Sequence, residues 1–409
     1  MKNIQKNISH DRLIKKFSYY GLLKNLRFFE PYLLIFLLNN GISYIQIGTL
    51  IAIREIIVYV FEIPSGVLAD RYGRKNELML CFIFYIISFI LFFLKAGFPF
   101  YIAAMIFYGF GEAFRSGTHK AMIMQYLQKK DWFAYKSLVY GRTRSYSLIG
   151  SAISSIISIF IIFVLPDLRW VFLISILPYS FDFLLIMSYP DYLNQRKAVA
   201  FEFKDFLKQN VLSVKYAFSG NKMRTLILNS AFYQGTFKTI KDYIQPFLIS
   251  MAVVQIGISI IDKNISNIYL GLFYFIVNLF NAAAARNSYR LVKNSNEAKI
   301  INILFLVLSV SGILIGFFGK LDWNFMIILL FMIINAITNI RRPIMVGVLT
   351  EQIDKDQRAS ILSVESQITS IFTAGFSFLI GVLATTFGLN EAFLILSSIF
   401  FVGQFLVRL

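Results

Sequence analysis

The sequence predicts an all-α membrane protein of twelve transmembrane helices, arranged as two parallel six-helix repeats. Three observations carry that prediction: an apolar excess, a row of long apolar runs separated by short basic segments, and an echo of the first half in the second. The 409 residues are 57% hydrophobic and 15% charged, whereas soluble domains are about 45–50% apolar and about 25% charged.

A membrane span needs about 20 mostly apolar residues. Such runs fall near 17–39, 44–68, 77–95, 98–118, 137–164 and 169–189, then near 225–253, 266–285, 299–318, 323–349, 359–386 and 388–408. They lack the period-two alternation of barrel strands and are far longer. Basic residues crowd every second connection, as at Lys15, Lys16, Arg71, Arg74, Lys75, Lys129, Lys130, Arg196, Lys197, Arg286 and Arg290. The other connections hold little beyond Lys95, Arg169, Lys263 and Lys320. That bias places both termini in the cytoplasm. It also explains the net charge of +18 as topology, so no nucleic-acid partner is expected. The polar amino terminus does not read as a cleavable signal, and the first span is expected to stay in the protein. With Cys81 alone, and only His10 and His119 as histidines, no disulfide, metal or other cofactor is expected.

The longest cytoplasmic connection divides the spans six and six. The predicted organisation is an N-terminal half over 1–190, a cytoplasmic linker over 191–224 and a C-terminal half over 225–409. In the linker, Phe203, Phe206, Leu207 and Val214 gather near one face, with Lys204, Lys208 and Lys215 elsewhere. This is the pattern of an amphipathic helix at a membrane surface.

The halves echo one another. A shift of 215 lays Pro31 on Pro246, "FEPYLLIF" on "IQPFLISM", and Arg71 on Arg286. A shift of 226 lays Arg115 on Arg341, and one of 225 lays Asp131 and Ala134 on Asp356 and Ala359. Halves in one orientation are parallel repeats about an axis along the membrane normal, with helix breaks near a midplane pathway. Glu30-Pro31 and Gln245-Pro246 are then equivalent breaks. Proline deletes a backbone hydrogen bond and kinks the helix, which lipid tolerates only where neighbours or water satisfy the freed carbonyl.

Charges within spans cost several kcal/mol if they face lipid, so they face a cavity and pair. By depth the pathway candidates are Glu30, Arg54, Glu112, Lys238 and Asp242, with Lys241 beside them and Arg115 and Arg341 nearer the cytoplasm. Glu55, Arg142, Arg144, Asp182 and Arg342 are further charges in or at the spans. For any one of them, a structural ion pair and a substrate contact are equally open readings. Glu30, Glu112 and Asp242 are candidate proton carriers, while Arg54, Lys238 and Lys241 favour a substrate of anionic character.

Between the second and third spans stands "GVLADRYGRK", Gly66 to Lys75. It resembles the signature loop of the major facilitator superfamily, and every defining position is filled. The resemblance, with the twelve spans and the repeat, covers nearly the whole chain. It implies a secondary active transporter that moves a small solute by alternating access, as a monomer in a lipid bilayer, by symport or antiport with protons as a candidate coupling ion. It also implies that Gly66, Asp70, Arg71, Gly73 and Arg74 form a cytoplasmic latch that releases during the cycle. The glycines would allow close helix approach and a tight turn. Asp70 would accept hydrogen bonds from a helix N-terminus or a basic partner. The second-half copy, "AAAARNSYR", keeps Arg286 but has Ala285 in place of the aspartate.

The chain departs from two subfamily patterns. Gly109-Phe110-Gly111 is preceded four residues before by Met105 and not by arginine, and the fifth span reads "SLIGSAISS" without proline. Both weaken the drug/proton antiporter reading; multidrug or toxic-compound efflux remains the alternative. A polytopic membrane enzyme or a non-transporting receptor is the second alternative. No phosphate loop and no catalytic cluster are present in the sequence, so enzyme activity is not expected. The lysine-, isoleucine- and asparagine-rich composition places the protein in a prokaryotic plasma (inner) membrane.

Overall fold

The computed structural model describes residues 7–165, 167–194, 214–215, 217–218, 220–254, 263–292, 296–351 and 358–409. Regular structure among them is helical, without strands. The first span comprises α1 (Arg12–Leu23) and α2 (Leu33–Asn39), followed by α3 (Tyr44–Tyr72), α4 (Arg74–Leu94) and α5 (Phe98–Arg115). A further helix, α6 (Thr118–Lys129), leads to α7 (Lys136–Val164) and α8 (Trp170–Met187). The second half runs through α9 (Asn221–Tyr243), α10 (Gln245–Val254), α11 (Lys263–Val292), α12 (Glu297–Lys320), α13 (Asn324–Glu351), α14 (Arg358–Phe387) and α15 (Leu389–Leu406). Each predicted run meets a helix. Eight of the helices are long and apolar enough to cross a membrane among the described residues. Most of the amphipathic linker, including Phe203 to Leu207, lies outside those residues, as do the side chains of Asp70 and Arg286.

The first span is not the kinked helix expected over 17–39. It is interrupted across residues 24–32. Pro31 supplies no N–H, and the residue before a proline is pushed out of helical geometry. The released carbonyl of Gly21 takes the Asn25 side-chain amide at 2.6 Å. Ahead of the break, Asp11 caps α1 by accepting the Leu13 and Ile14 amides at 2.9 and 3.0 Å. The equivalent break in the seventh span is only Ile244. There Pro246 sits at the second position of α10, in the first turn, where a missing N–H costs nothing.

The internal duplication recurs in the packing. In the first half α1 packs on α7, and α4 packs on both α5 and α8. In the second half α9 packs on α14, and α12 packs on both α13 and α15. Span by span these are the same pairs. The first half is filled by rings: Tyr85 and Phe89 meet Tyr179 at centroid distances of 5.1 and 4.9 Å. In the second, Phe232 meets Phe305, Phe372, Phe376 and Phe400 within 5.9 Å.

The chain forms two compact units, Met1–Pro31 with Val60–Phe201, and Tyr32–Tyr59 with Glu202–Leu409. Residues 32–59 therefore pack with the C-terminal helices. The Leu34 amide donates to Gln245 Oε1 at 3.1 Å, and the Ile45 amide to Thr385 Oγ1 at 2.9 Å. Gly48 and Gly381 bring α3 and α14 into backbone contact: a Cβ on either would lie within 2.5 Å of Ser377 O or Tyr44 O.

In the first unit, Gly73 opens α4 with φ +97°, a conformation that favours glycine. Asn194 closes over it, and its Oδ1 accepts the amides of Lys75 at 3.1 Å and Asn76 at 3.4 Å. The cap of α4 thus comes from a residue beyond α8. A close helix approach was expected at Gly66 too; there a Cβ would meet open space among the described residues. Gly73→Ala would place a methyl 2.1 Å from Asn194 Oδ1 in a strained backbone. It is expected to destabilise by about 1–3 kcal/mol, read as a lowered thermal midpoint in detergent, while Gly66→Ala leaves the midpoint in place.

Candidate functional site

Within the first unit, the interrupted segment delivers Arg27 to the last turn of α5. Its Nη2 donates to Glu112 Oε1 at 2.9 Å. One turn later on the same helix, Arg115 Nη2 meets Glu112 Oε2 at 2.5 Å. The Tyr85 hydroxyl from α4 donates to Glu112 Oε1 at 2.7 Å and accepts from Arg115 Nε at 3.0 Å. One carboxylate therefore carries two guanidiniums, and the group keeps a positive charge. Charge-assisted bonds of this kind are about twice as strong as neutral ones. Asp182 on α8 is fully buried, and neither carboxyl oxygen has a hydrogen-bond partner among the described residues.

His119 lies just beyond this cluster, near the start of α6. It stacks on Tyr20 at 3.6 Å and shares a hydrogen bond of 3.1 Å with the Tyr189 hydroxyl. Burial pushes its pKa below the ordinary histidine value, and Lys24 and Arg115 push the same way.

The second unit holds the other cluster. Arg54 and Glu55 on α3 bond at 2.8 Å, and Arg54 also reaches Asp242 on α9 at 3.5 Å. Lys238, one turn before Asp242, reaches Glu55 at 3.3 Å. Two bases and two acids cancel. Glu55 is the deepest, with its side chain 6% exposed, against 40% for Lys238. Lys241 follows on α9, one turn after Lys238. Glu30 lies in the interruption, half-buried, its amide donating to the Arg27 carbonyl at 3.1 Å.

Arg341 stands apart from both clusters. It is fully buried, donates to Asn229 Oδ1, and lies 3.9 Å over the Tyr233 ring. In the signature loop, Arg71 is exposed beside Tyr72, and Arg74 reaches Gln125 at 3.4 Å. Lys75 donates to Tyr189 O at 2.8 Å and to Asp191 at 3.0 Å.

The sequence-predicted residues thus fall into separate groups: Glu112 with Arg115; Arg54, Lys238 and Asp242; and Arg341 alone. Arg27, Tyr85, Asn194 and Asn229 were not among the predicted site residues. Arg27 carried one legible signal, an arginine three residues before Glu30 in a span that proline breaks.

A family model described as Major Facilitator Superfamily matches residues 25–366. An uncharacterized MFS-type transporter of Bacillus subtilis (strain 168), YxaM, is 24% identical over 379 residues, covering 90% of this chain and 88% of that protein. Among solved structures, the nucleoside transporter NupG superposes with a TM-score of 0.76 at 11% identity, over 97% of this chain and 98% of that one. A D-xylose-proton symporter gives 0.72 at 13% identity, over 97% and 96%. The human organic anion transporter MFSD10 gives 0.64 at 16% identity, over 97% and 100%.

Arg54→Met removes the buried partner that Glu55 and Asp242 share and leaves Lys238 on Glu55, whereas Lys238→Met removes a half-exposed partner. Breaking a buried pair costs about 3–5 kcal/mol, an exposed one about 0.2–1 kcal/mol. Thermal unfolding in detergent is expected to fall much further for Arg54→Met than for Lys238→Met.

Proposed function

Because the chain belongs to the major facilitator superfamily, a family of membrane transporters, we propose that it is a secondary active transporter that moves a small solute of anionic character by alternating access. The observation that carries this reading is the attachment of residues 32–59. They belong covalently to the first two spans, yet they are held by Gln245, Thr385 and the Arg54–Glu55–Lys238–Asp242 network of the second unit. These contacts are single hydrogen bonds and ion pairs. Each can open without unfolding a helix, as a clasp that changes hands once per cycle must.

The signature loop serves as the cytoplasmic latch in this scheme. Gly73 forms its turn, Gly66 lies on the last turns of α3 before it, and Asp70, Arg71 and Arg74 supply its charges. Proton coupling runs through the first-unit cluster. A proton on Glu112 displaces Arg27 or Arg115, and the guanidinium released is then free for an anion, so proton and anion travel together. Among the described residues, Tyr85 and the two arginines are the groups bonded to Glu112. Asp182 is a second place for a proton, which arrives there without displacing a partner. Lys241 and Arg341 act, on this reading, on the substrate pathway of the second half. Both termini are cytoplasmic in a bacterial inner membrane, and the protein works as a monomer without enzymatic chemistry. The shared fold of a proton symporter and an organic anion transporter is compatible with each part.

Cys81 is the only cysteine, so a cross-linking test starts from Cys81→Ser. Ile45→Cys with Thr385→Cys, joined by a short bis-thiol reagent, is expected to abolish exchange of a ligand first found by thermal-shift screening. Full exchange with the cross-link in place would falsify the clasp. Glu112→Gln in liposomes is expected to bind ligand but lose the response of uptake to a pH gradient; an unaltered response removes Glu112 from coupling.

A further inference from the structure

In the first unit, α1 and α7 lie against each other and leave a furrow along their outer side. The helices touch through glycine: a Cβ on Gly21 would lie 2.8 Å from Thr143 O, and one on Gly150 2.4 Å from Leu22 O. Beside that contact the Tyr19 and Tyr146 rings meet edge to face at 5.9 Å, and Tyr19 is 50% exposed. One turn before Tyr146, Arg142 reaches across from α7 and donates to the Ser9 carbonyl at 2.9 Å. Arg12, Lys15 and Tyr19 follow one another at spacings of three and four, which brings them to one face of α1. Neither Arg12 nor Lys15 joins an ion pair among the described residues, and the described bond of Arg142 is to a neutral carbonyl. Asp11, the acid next to Arg12, is occupied by the cap of α1 and by the Tyr126 hydroxyl at 2.6 Å.

Beyond Tyr146 the exposed side chains Ile149, Ile153, Ile156 and Phe160 continue along one face of α7. From Tyr146 to Val164 an α-helix rises about 27 Å, close to the hydrocarbon thickness of about 30 Å. Tyr146 therefore stands at headgroup depth, where tyrosines gather, and Arg142 lies one turn toward the cytoplasm. We propose that this furrow binds an anionic phospholipid of the cytoplasmic leaflet, with its phosphate on Arg12, Lys15 and Arg142 and an acyl chain along the α7 face. Guanidinium forks fit phosphate oxygens, and an ammonium group binds them as a point charge. A zwitterionic headgroup brings its own cation to a place that already holds three. Charge bias across the membrane explains why basic residues are cytoplasmic; it does not explain why three of them border lipid beside a tyrosine pair without an acid. The bound lipid would tie α1 to α7 just ahead of the break that delivers Arg27 to Glu112. The site is independent of the solute transported.

The test titrates full-length protein in detergent with phosphatidylglycerol, phosphatidylcholine and glycerol 3-phosphate. Native mass spectrometry counts the lipid retained, and thermal unfolding reads its effect. Phosphatidylglycerol is expected to be retained and to raise the midpoint, with phosphatidylcholine retained more weakly. Glycerol 3-phosphate, a headgroup without chains, is expected to be inert. A basic residue near an anionic headgroup is worth about fivefold in affinity, so Arg12→Gln and Arg142→Gln are each expected to weaken phosphatidylglycerol binding by about that factor. Arg12→Gln breaks no described ion pair, so its effect reads the lipid and not the fold. Lys130→Gln removes an exposed charge over Trp132 on the α6–α7 connection and is expected to leave binding unchanged. Equal retention of the two lipids, or a loss as large in Lys130→Gln as in Arg12→Gln, reduces the effect to general charge attraction and overturns the site. Binding unaltered in the Arg12→Gln, Arg142→Gln double variant overturns it as well. A midpoint raised as far by glycerol 3-phosphate as by the lipid assigns the cations to a soluble anion and overturns the lipid proposal.

Discussion

An ion inside an apolar helix bundle must be partnered, and the rest of this structure follows from how that demand is met. Removing a charge from water costs several kcal/mol per ion even after relaxation. Most of the charges that interrupt the apolar spans here are accordingly gathered, Asp182 and Arg341 being the exceptions. Arg54 and Lys238 lie across from Glu55 and Asp242, and Arg27 and Arg115 share Glu112. The two solutions differ in balance. One cancels and ties α3 to α9; the other keeps a positive charge.

The break in the first span belongs to the same account. By giving up helical geometry across 24–32, the chain frees one arginine to reach α5, and starts α2 afresh against α10. Proline alone explains why the helix stops. The interval also holds Lys24, Arg27 and Glu30, and at its end the Leu34 amide is met by the Gln245 side chain, so backbone groups released by the break acquire partners.

Much of this was legible in sequence, because length and hydropathy are local quantities. Most of the predicted runs meet a helix that the sequence bounds to within a few residues, as at α13, 324–351 against an expected 323–349. The ion clusters were legible as a list but not as partnerships. Nothing in "RFFEPY" says that Arg27 bonds to Glu112, since that pairing depends on a break whose length one proline does not set. The cap that Asn194 gives to α4 was equally invisible. It joins residues about 120 apart, and an asparagine after the sixth span carries no local mark of what it will cover.

The repeat adds a last step. Arg115 and Arg341 occupy matching places in the two halves, and each lies against a tyrosine, Tyr85 or Tyr233. The acceptor differs. Arg115 meets a carboxylate that it shares, whereas Arg341 is fully buried on the neutral amide of Asn229. A shared carboxylate can be protonated and can release its arginine; an amide in that place cannot. Duplication therefore preserved the position of the charge while the halves diverged in whether it can be exchanged. On the coupling role proposed for Glu112, that divergence gives one half an exchangeable ion pair and leaves the other a fixed cation, so identical packing pairs need not imply equal roles in the cycle.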